Sequence, residues 1–138
     1  MKTLLYSLDE LNTAVDLVYS QMSNVKVLTF TGVLGAGKTT LIRALLRKCG
    51  IHEVITSPTF TYVNAYENTQ GQMFYHFDCY RIKTLEEFKA AGFDEYLYQP
   101  HSWALIEWPE VIEPLLMNSV CRVNIDFQDD TRILQLTM

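Results

Sequence analysis

A chain of 138 residues is the size of one domain and can bury about two-thirds of the surface it exposes when unfolded. Its apolar content of 49% and charged content of 20% are those of a soluble globule, and no apolar run reaches the length a membrane-crossing helix needs. The net charge is −5, and lysine and arginine are scattered, with a short cluster only at Arg43, Arg47 and Lys48; this makes the chain a poor candidate for gripping nucleic acid unaided.

The N-terminus meets charge at Lys2, Asp9 and Glu10, too early for a secretory signal. Cys49, Cys79 and Cys121 are odd in number, widely spaced and without a C-x-x-C pair, so reduced thiols in a cytoplasmic protein are expected. The histidines lack metal-ligand spacing.

In chain order, Ser7-x-x-Glu10 is a capping box. It predicts an amphipathic helix carrying Leu11, Val15, Val18 and Met22 at helical spacing. Lys26–Thr31 reads as a strand, Gly32–Thr39 as a glycine-rich loop, and Thr40–Arg47 as a helix that Gly50 ends. Residues 51–55 form a short apolar piece. Proline disfavours helix at Ser57, making Ser57-Pro58-Thr59-Phe60 a loop. Thr61–Tyr66 and Met73–Asp78 are aromatic and β-rich, and the turn between them at Asn68-Thr69-Gln70-Gly71 predicts an antiparallel hairpin. Thr84-x-x-Glu87 opens a helix with Leu85, Phe88 and Ala91 that stops at Gly92, with a shorter helical piece over Asp94–Tyr98. Trp103–Glu107 is a buried strand ending in a carboxylate. Pro109 starts a brief helix that Pro114 restricts. Val120–Phe127 and Arg132–Thr137 predict a terminal hairpin turning at Asp129-Asp130. The whole reads as a single three-layer α/β domain over residues 1–138, with a sheet mixing parallel strands and antiparallel hairpins.

The glycine-rich loop has the form G-x-x-x-x-G-K-T, from Gly32 to Lys38 and Thr39. Glycines let successive backbone N–H groups turn inward onto phosphate oxygens. Lys38 brings a positive charge to the outer phosphates, and the Thr39 hydroxyl can ligate Mg²⁺. The following helix offers its positive end to the same anion. Strand, loop and helix in this order make a P-loop NTPase-like fold and a nucleoside triphosphate site. A carboxylate to complete the metal site must come from elsewhere, commonly the end of an adjacent strand, and two strands supply one: Glu107 and Asp78. One acid could hold the metal while the other orients or deprotonates water. Trp108, a core residue by default, follows Glu107, and its place beside a candidate metal ligand favours a position near the nucleotide. Tyr80 and Arg81 follow Asp78 in the same way, with Arg81 read equally as a charge for phosphates or a partner and as a plain surface arginine. Thr59 occupies a region where GTPases place a threonine that senses the γ-phosphate. No Asn-Lys-x-Asp tetrapeptide for guanine is present, which favours adenine.

Together Gly35-Ala36-Gly37-Lys38-Thr39-Thr40, Ser57-Pro58-Thr59-Phe60, His76-Phe77-Asp78-Cys79-Tyr80-Arg81 and Ile106-Glu107-Trp108-Pro109 resemble, in order and spacing, the bacterial TsaE (YjeE) ATPases. The resemblance runs from about Ser7 to Pro109. It implies a small cytoplasmic ATPase, slow alone, needed for threonylcarbamoyl modification of adenosine 37 in tRNAs that read codons beginning with A. It also implies TsaB and TsaD as partners, with tRNA reached only through their complex. By the same resemblance, ATP is held by Gly35, Ala36, Gly37, Lys38, Thr39 and Thr40, and Thr39 and Glu107 ligate Mg²⁺. Lys38, Asp78 and Glu107 form the catalytic set, with Asp78 assisting hydrolysis. Thr59 belongs to a switch-like loop, Trp108 lies near the nucleotide, and Thr13 lies near the base. Val33 departs from the family pattern, since many relatives carry an acid there. A small-molecule kinase is the alternative, disfavoured because no arginine-rich lid follows the second helix.

Overall fold

The computed structural model describes residues 1–138 apart from Leu34, Thr59, Phe60 and Asn118. It opens with a strand, β1 (Lys2–Tyr6), that the sequence pattern does not announce. Only Tyr6 of β1 is buried, and the strand exists through its pairing with residues at the far end of the chain. Ser7 then starts a 3₁₀ turn (Leu8–Glu10), where the Glu10 carboxylate accepts from the Ser7 amide at 3.1 Å. The turn runs into α1 (Leu11–Tyr19), which buries Ala14, Val15 and Val18. Met22, expected on this helix, falls instead in a separate 3₁₀ turn (Met22–Asn24).

Strand β2 (Val27–Thr31) leads through the glycine loop into α2 (Lys38–Lys48). This helix starts two residues earlier than its apolar pattern suggests, because Gly37 at φ 100° provides the left-handed turn that caps it. It ends in a Schellman closure: Ile51 N–H donates to the Leu46 carbonyl and Gly50 N–H to the Arg47 carbonyl, at 3.1 Å each, with Gly50 at φ 92°. Residues 51–55 form no regular element; Ile51 and Ile55 are buried individually. The hairpin β3 (Val63–Glu67) and β4 (Met73–Asp78) follows. Next comes α3 (Leu85–Ala90), capped by the Thr84 hydroxyl, which accepts from the Glu87 amide at 3.1 Å. A 3₁₀ turn (Phe93–Tyr96) replaces the expected helical piece over Asp94–Tyr98. Then come β5 (Ser102–Glu107), a 3₁₀ stretch (Glu110–Leu115), β6 (Val120–Gln128) and β7 (Thr131–Thr137).

Among the described residues the strands form one sheet in the order β1-β7-β6-β2-β5-β4-β3. The centre, β6-β2-β5-β4, is parallel, and the β3–β4, β6–β7 and β1–β7 pairs are antiparallel. Alternation along the central strands feeds two cores. Leu28, Phe30 and Leu105 pack with α1 and with Leu41, Ile42, Leu45 and Leu46 of α2. On the other face Val27, Phe77, Ala104 and Ile106 pack with Phe88 of α3 and with Ile112. Helices therefore cover both faces of a mixed sheet, the three-layer α/β arrangement expected from the sequence. No helix among the described residues is long and apolar enough to cross a membrane.

Phe88 is fully buried, with ring centroids 5.7 Å from Phe77 and 5.6 Å from Phe93. The short α3 holds its place through this side chain. Phe88→Ala should lower unfolding free energy by about 3–5 kcal/mol, whereas Val54→Ala, at an exposed position, should stay within about 0.5 kcal/mol; urea denaturation followed by circular dichroism measures both.

Candidate functional site

β2, β4 and β5 run parallel, so their carboxyl ends lie on one edge of the sheet, the edge where open α/β sheets hold ligands. The glycine loop leaves β2 at this edge. Gly32, at φ 138°, admits no side chain, because a Cβ there would drive into the Ile125 carbonyl oxygen. The loop is braced by Ala36 N–H donating to the Val33 carbonyl at 3.1 Å, with Ala36 itself fully buried. Beyond it, the first-turn amides of α2 have no partner within the helix and form an anion-binding end.

Lys38 lies almost completely buried beneath the loop. Its Nζ donates to the Gly32 carbonyl at 2.7 Å and the Val33 carbonyl at 3.0 Å, and sits 4.3 Å from the centroid of the Trp108 ring. Burial pushes the Lys38 pKa down, while the charges of Glu107, Glu110 and Asp78 pull it back up. The contact at Val33 is made by its carbonyl, and its side chain is exposed. The residue type at this departure from the family pattern therefore does not enter the lysine's bonding.

Glu107 ends β5 with 4% of its surface exposed. Its Oε1 accepts from the Thr39 hydroxyl at 3.0 Å, and its Oε2 lies 2.7 Å from His76 Nε2. The β4–β5 register pairs Asp78 with Glu107, so the two strand-end acids stand side by side on the α2 face. Asp78 is less enclosed, with Oδ1 accepting from the Tyr80 amide at 3.0 Å. Trp108 takes a left-handed φ of 57°, a conformation that costs a non-glycine residue roughly 1–3 kcal/mol. In that pose its ring meets both Lys38 and the Tyr80 ring, whose centroid is 4.9 Å away.

These side chains line a cleft of about 450 Å³, within the usual range for small-molecule sites. Of the residues singled out from the sequence, Gly35, Gly37, Lys38, Thr39, Thr40, Asp78, Glu107 and Trp108 line it, joined by Ser57, Tyr80 and Arg81. Ala36 is fully buried and does not line it. Thr13 is exposed on α1 and is not part of this lining, and Thr59 lies outside the described residues. A second cavity of about 520 Å³ sits at the far end of α2, between Tyr19, Cys49, Asn68 and Trp103, and no carboxylate lines it. Asp78, Glu107 and Lys38 all line the smaller cleft.

Two residues escaped the sequence reading as individuals. His76 became visible only once the alternation of β4 placed it on the same face as Asp78. Arg132, on β7, packs against the loop: a Cβ added at Gly37 would lie 3.5 Å from its Nε. That buried Nε has no hydrogen-bond partner among the described residues, although the guanidinium lies 4.7 Å from the centroid of the Phe127 ring. No local signal marks Arg132, because the terminal hairpin reaches the loop only through the sheet. The cysteines contribute no nucleophile. Burial pushes the thiols of Cys49 and Cys79 up to about 12 and that of Cys121 up to about 11, which keeps them protonated at neutral pH.

Chemically, the cleft combines a backbone anion cradle, one buried ammonium, and a hydroxyl–carboxylate oxygen pair suited to a hard cation. Among the described residues no cluster of three or more His, Cys, Asp or Glu side chains could hold a metal by itself. A cation held here would draw its remaining ligands from phosphate and water, as Mg²⁺ does in triphosphate sites.

Residues 5–134 match the family model described as "Threonylcarbamoyl adenosine biosynthesis protein TsaE". Over 105 residues the chain is 44% identical to the tRNA threonylcarbamoyladenosine biosynthesis protein TsaE of Haemophilus influenzae, covering 76% of this chain and 65% of that one. It is 38% identical to the TsaE of Rickettsia felis over 109 residues, 78% of this chain and 62% of that one. With the TsaE of Rickettsia bellii it shares 33% identity over 134 residues, covering 96% of this chain and 91% of the relative. The crystal structure of Bacillus subtilis YdiB superposes with a TM-score of 0.71 at 27% identity, covering 98% of this chain and 84% of that one. The match thus spans somewhat under two-thirds of the H. influenzae and R. felis proteins. By its fold, its phosphate-type loop and a family match over nearly all its length, the chain belongs to the TsaE family of threonylcarbamoyl adenosine biosynthesis proteins.

Proposed function

We propose that the protein is a magnesium-dependent ATPase, slow alone, that serves tRNA threonylcarbamoyladenosine formation in the cytoplasm by acting on a TsaB–TsaD assembly. The observation that carries the ATPase reading is the Thr39–Glu107 contact at 3.0 Å, set between the glycine loop and Asp78. The names of the relatives support the pathway. The net charge of −5 is consistent with RNA being held by the partners rather than by this chain.

In this reading Gly35, Ala36, Gly37 and Thr40 present the anion cradle of the loop and of the α2 N-terminus. Lys38 supplies its ammonium in a dry setting where a charge acts strongly. Thr39 and Glu107 hold Mg²⁺, which when bound neutralises phosphate charge. Asp78 is the more accessible acid, free to orient or deprotonate water at the cleft. Trp108 closes the site over Lys38, and Arg132 approaches the loop from the side of the terminal hairpin. Thr13 on the base side and Thr59 in a switch-like loop complete the set by resemblance.

The role is tested by measuring ATP hydrolysis with and without the TsaB and TsaD proteins of the same organism. Stimulation by both together, without phosphoryl transfer to small metabolites, is the expected result, and an unchanged rate would refute the partner-dependent role. Glu107→Ala should weaken ATP binding in Mg²⁺ by about tenfold or more, the size of a charge-assisted contact, and leave binding in EDTA nearly unchanged. Equal loss in both buffers by calorimetry would remove Glu107 from the metal. Asp78→Ala should lower single-turnover hydrolysis by about 10²-fold or more while the ATP dissociation constant moves only slightly; the reverse pattern would make Asp78 a binding group.

A further inference from the structure

We infer that His76 is a positioning residue for the site: its Nε2–H donates to Glu107 Oε2 and so holds the carboxylate with Oε1 turned to Thr39. The inference rests on the reading of Thr39 and Glu107 as the metal-holding pair.

The geometry is that of two strands. His76 stands opposite Leu105, and Asp78 opposite Glu107, in the parallel β4–β5 register. Residues two apart on a strand share a face, so the imidazole reaches diagonally to the neighbouring strand end. There Nε2 meets Oε2 at 2.7 Å, with the His76 side chain 1% and the Glu107 side chain 5% exposed. Nδ1 is buried and has no partner among the described residues.

That asymmetry selects the proton position. A proton on Nδ1 alone would be a buried donor with nothing to accept it, and would leave Nε2 facing Oε2 as one acceptor against another. A proton on Nε2 gives Oε2 its donor and leaves at most one lone pair unmatched on the other side of the ring.

The consequence concerns Oε1. A carboxylate at a strand end can rotate about its side-chain bonds, and each rotation would carry the oxygen away from the Thr39 hydroxyl. Fixing Oε2 leaves Oε1 in one place, with a single oxygen available to a cation beside Thr39. Outer partners of this kind commonly set metal affinity by about 10- to 100-fold.

The test uses the full chain and titrates ATP by calorimetry, once in Mg²⁺ and once in EDTA, taking the ratio of the two affinities. In His76→Gln the amide nitrogen falls close to the place of Nε2. In His76→Asn the side chain is too short to reach Glu107, and His76→Phe keeps the ring volume without a donor. The Mg²⁺/EDTA ratio should stay within about threefold of wild type in His76→Gln and fall by about tenfold or more in the other two, with affinity in EDTA unchanged. A wild-type ratio in His76→Phe, with the ratio lost in Glu107→Ala, would overturn the role of His76 while leaving the metal pair intact. A ratio in His76→Gln as low as in His76→Phe would also overturn it. No Mg²⁺ gain in the wild type itself would overturn the metal reading and the inference together. Imidazole ¹⁵N NMR of the wild-type protein without nucleotide needs no variant to fold. It should show the His76 proton on Nε2, and a proton on Nδ1 with bare Nε2 would end the proposal.

Discussion

The site depends on one buried carboxylate. Glu107 sits at the end of a central strand with almost no surface exposed, and a carboxylate taken from water is tolerable only when its oxygens are hydrogen-bonded. Both are engaged, Oε1 by the Thr39 hydroxyl and Oε2 by the His76 ring. Those partners come from α2 and β4, so this single acid ties the glycine loop to the strand that carries Asp78. Removing either partner would leave a lone pair of a buried carboxylate unmatched.

The parallel centre of the sheet makes that meeting possible. Because β2, β4 and β5 point the same way, the loop, Asp78 and Glu107 arrive at one edge although they are far apart along the chain. The helices on both faces keep the strands buried and their ends fixed, which is why the acids need little support of their own from loops. The antiparallel hairpins at the margins add a different contribution, since β7 carries Arg132 against the loop. Lys38 is held ready by two carbonyls and an aromatic face, and Trp108 adopts a strained backbone to provide that face.

Much of this was legible from residue patterns. The loop could be read because its glycines and lysine are required locally by backbone geometry. The helix ends could be read because capping is a matter of a few neighbouring residues: Thr84 caps α3 as its spacing implies, and Gly50 ends α2. Strands β2, β4 and β5 declared themselves through apolar runs, and the acids at their ends followed. What stayed hidden shares one cause. β1 has little burial of its own and forms by pairing with β7, and Arg132 reaches the loop only when the hairpin is docked.

The sequence by itself determined the phosphate-type loop, the central strands β2, β4 and β5, the helix α2 after the loop, and which acids end the buried strands, because each follows from contacts between residues close along the chain. Only the tertiary structure decided that Asp78 and Glu107 stand side by side, that His76 closes on Glu107, and that Lys38 lies under Trp108. Those are matters of register between strands and of a turn's backbone angle, and register is set by packing on both faces of the sheet at once. A strand's own residues carry its alternation but not the identity of its neighbour.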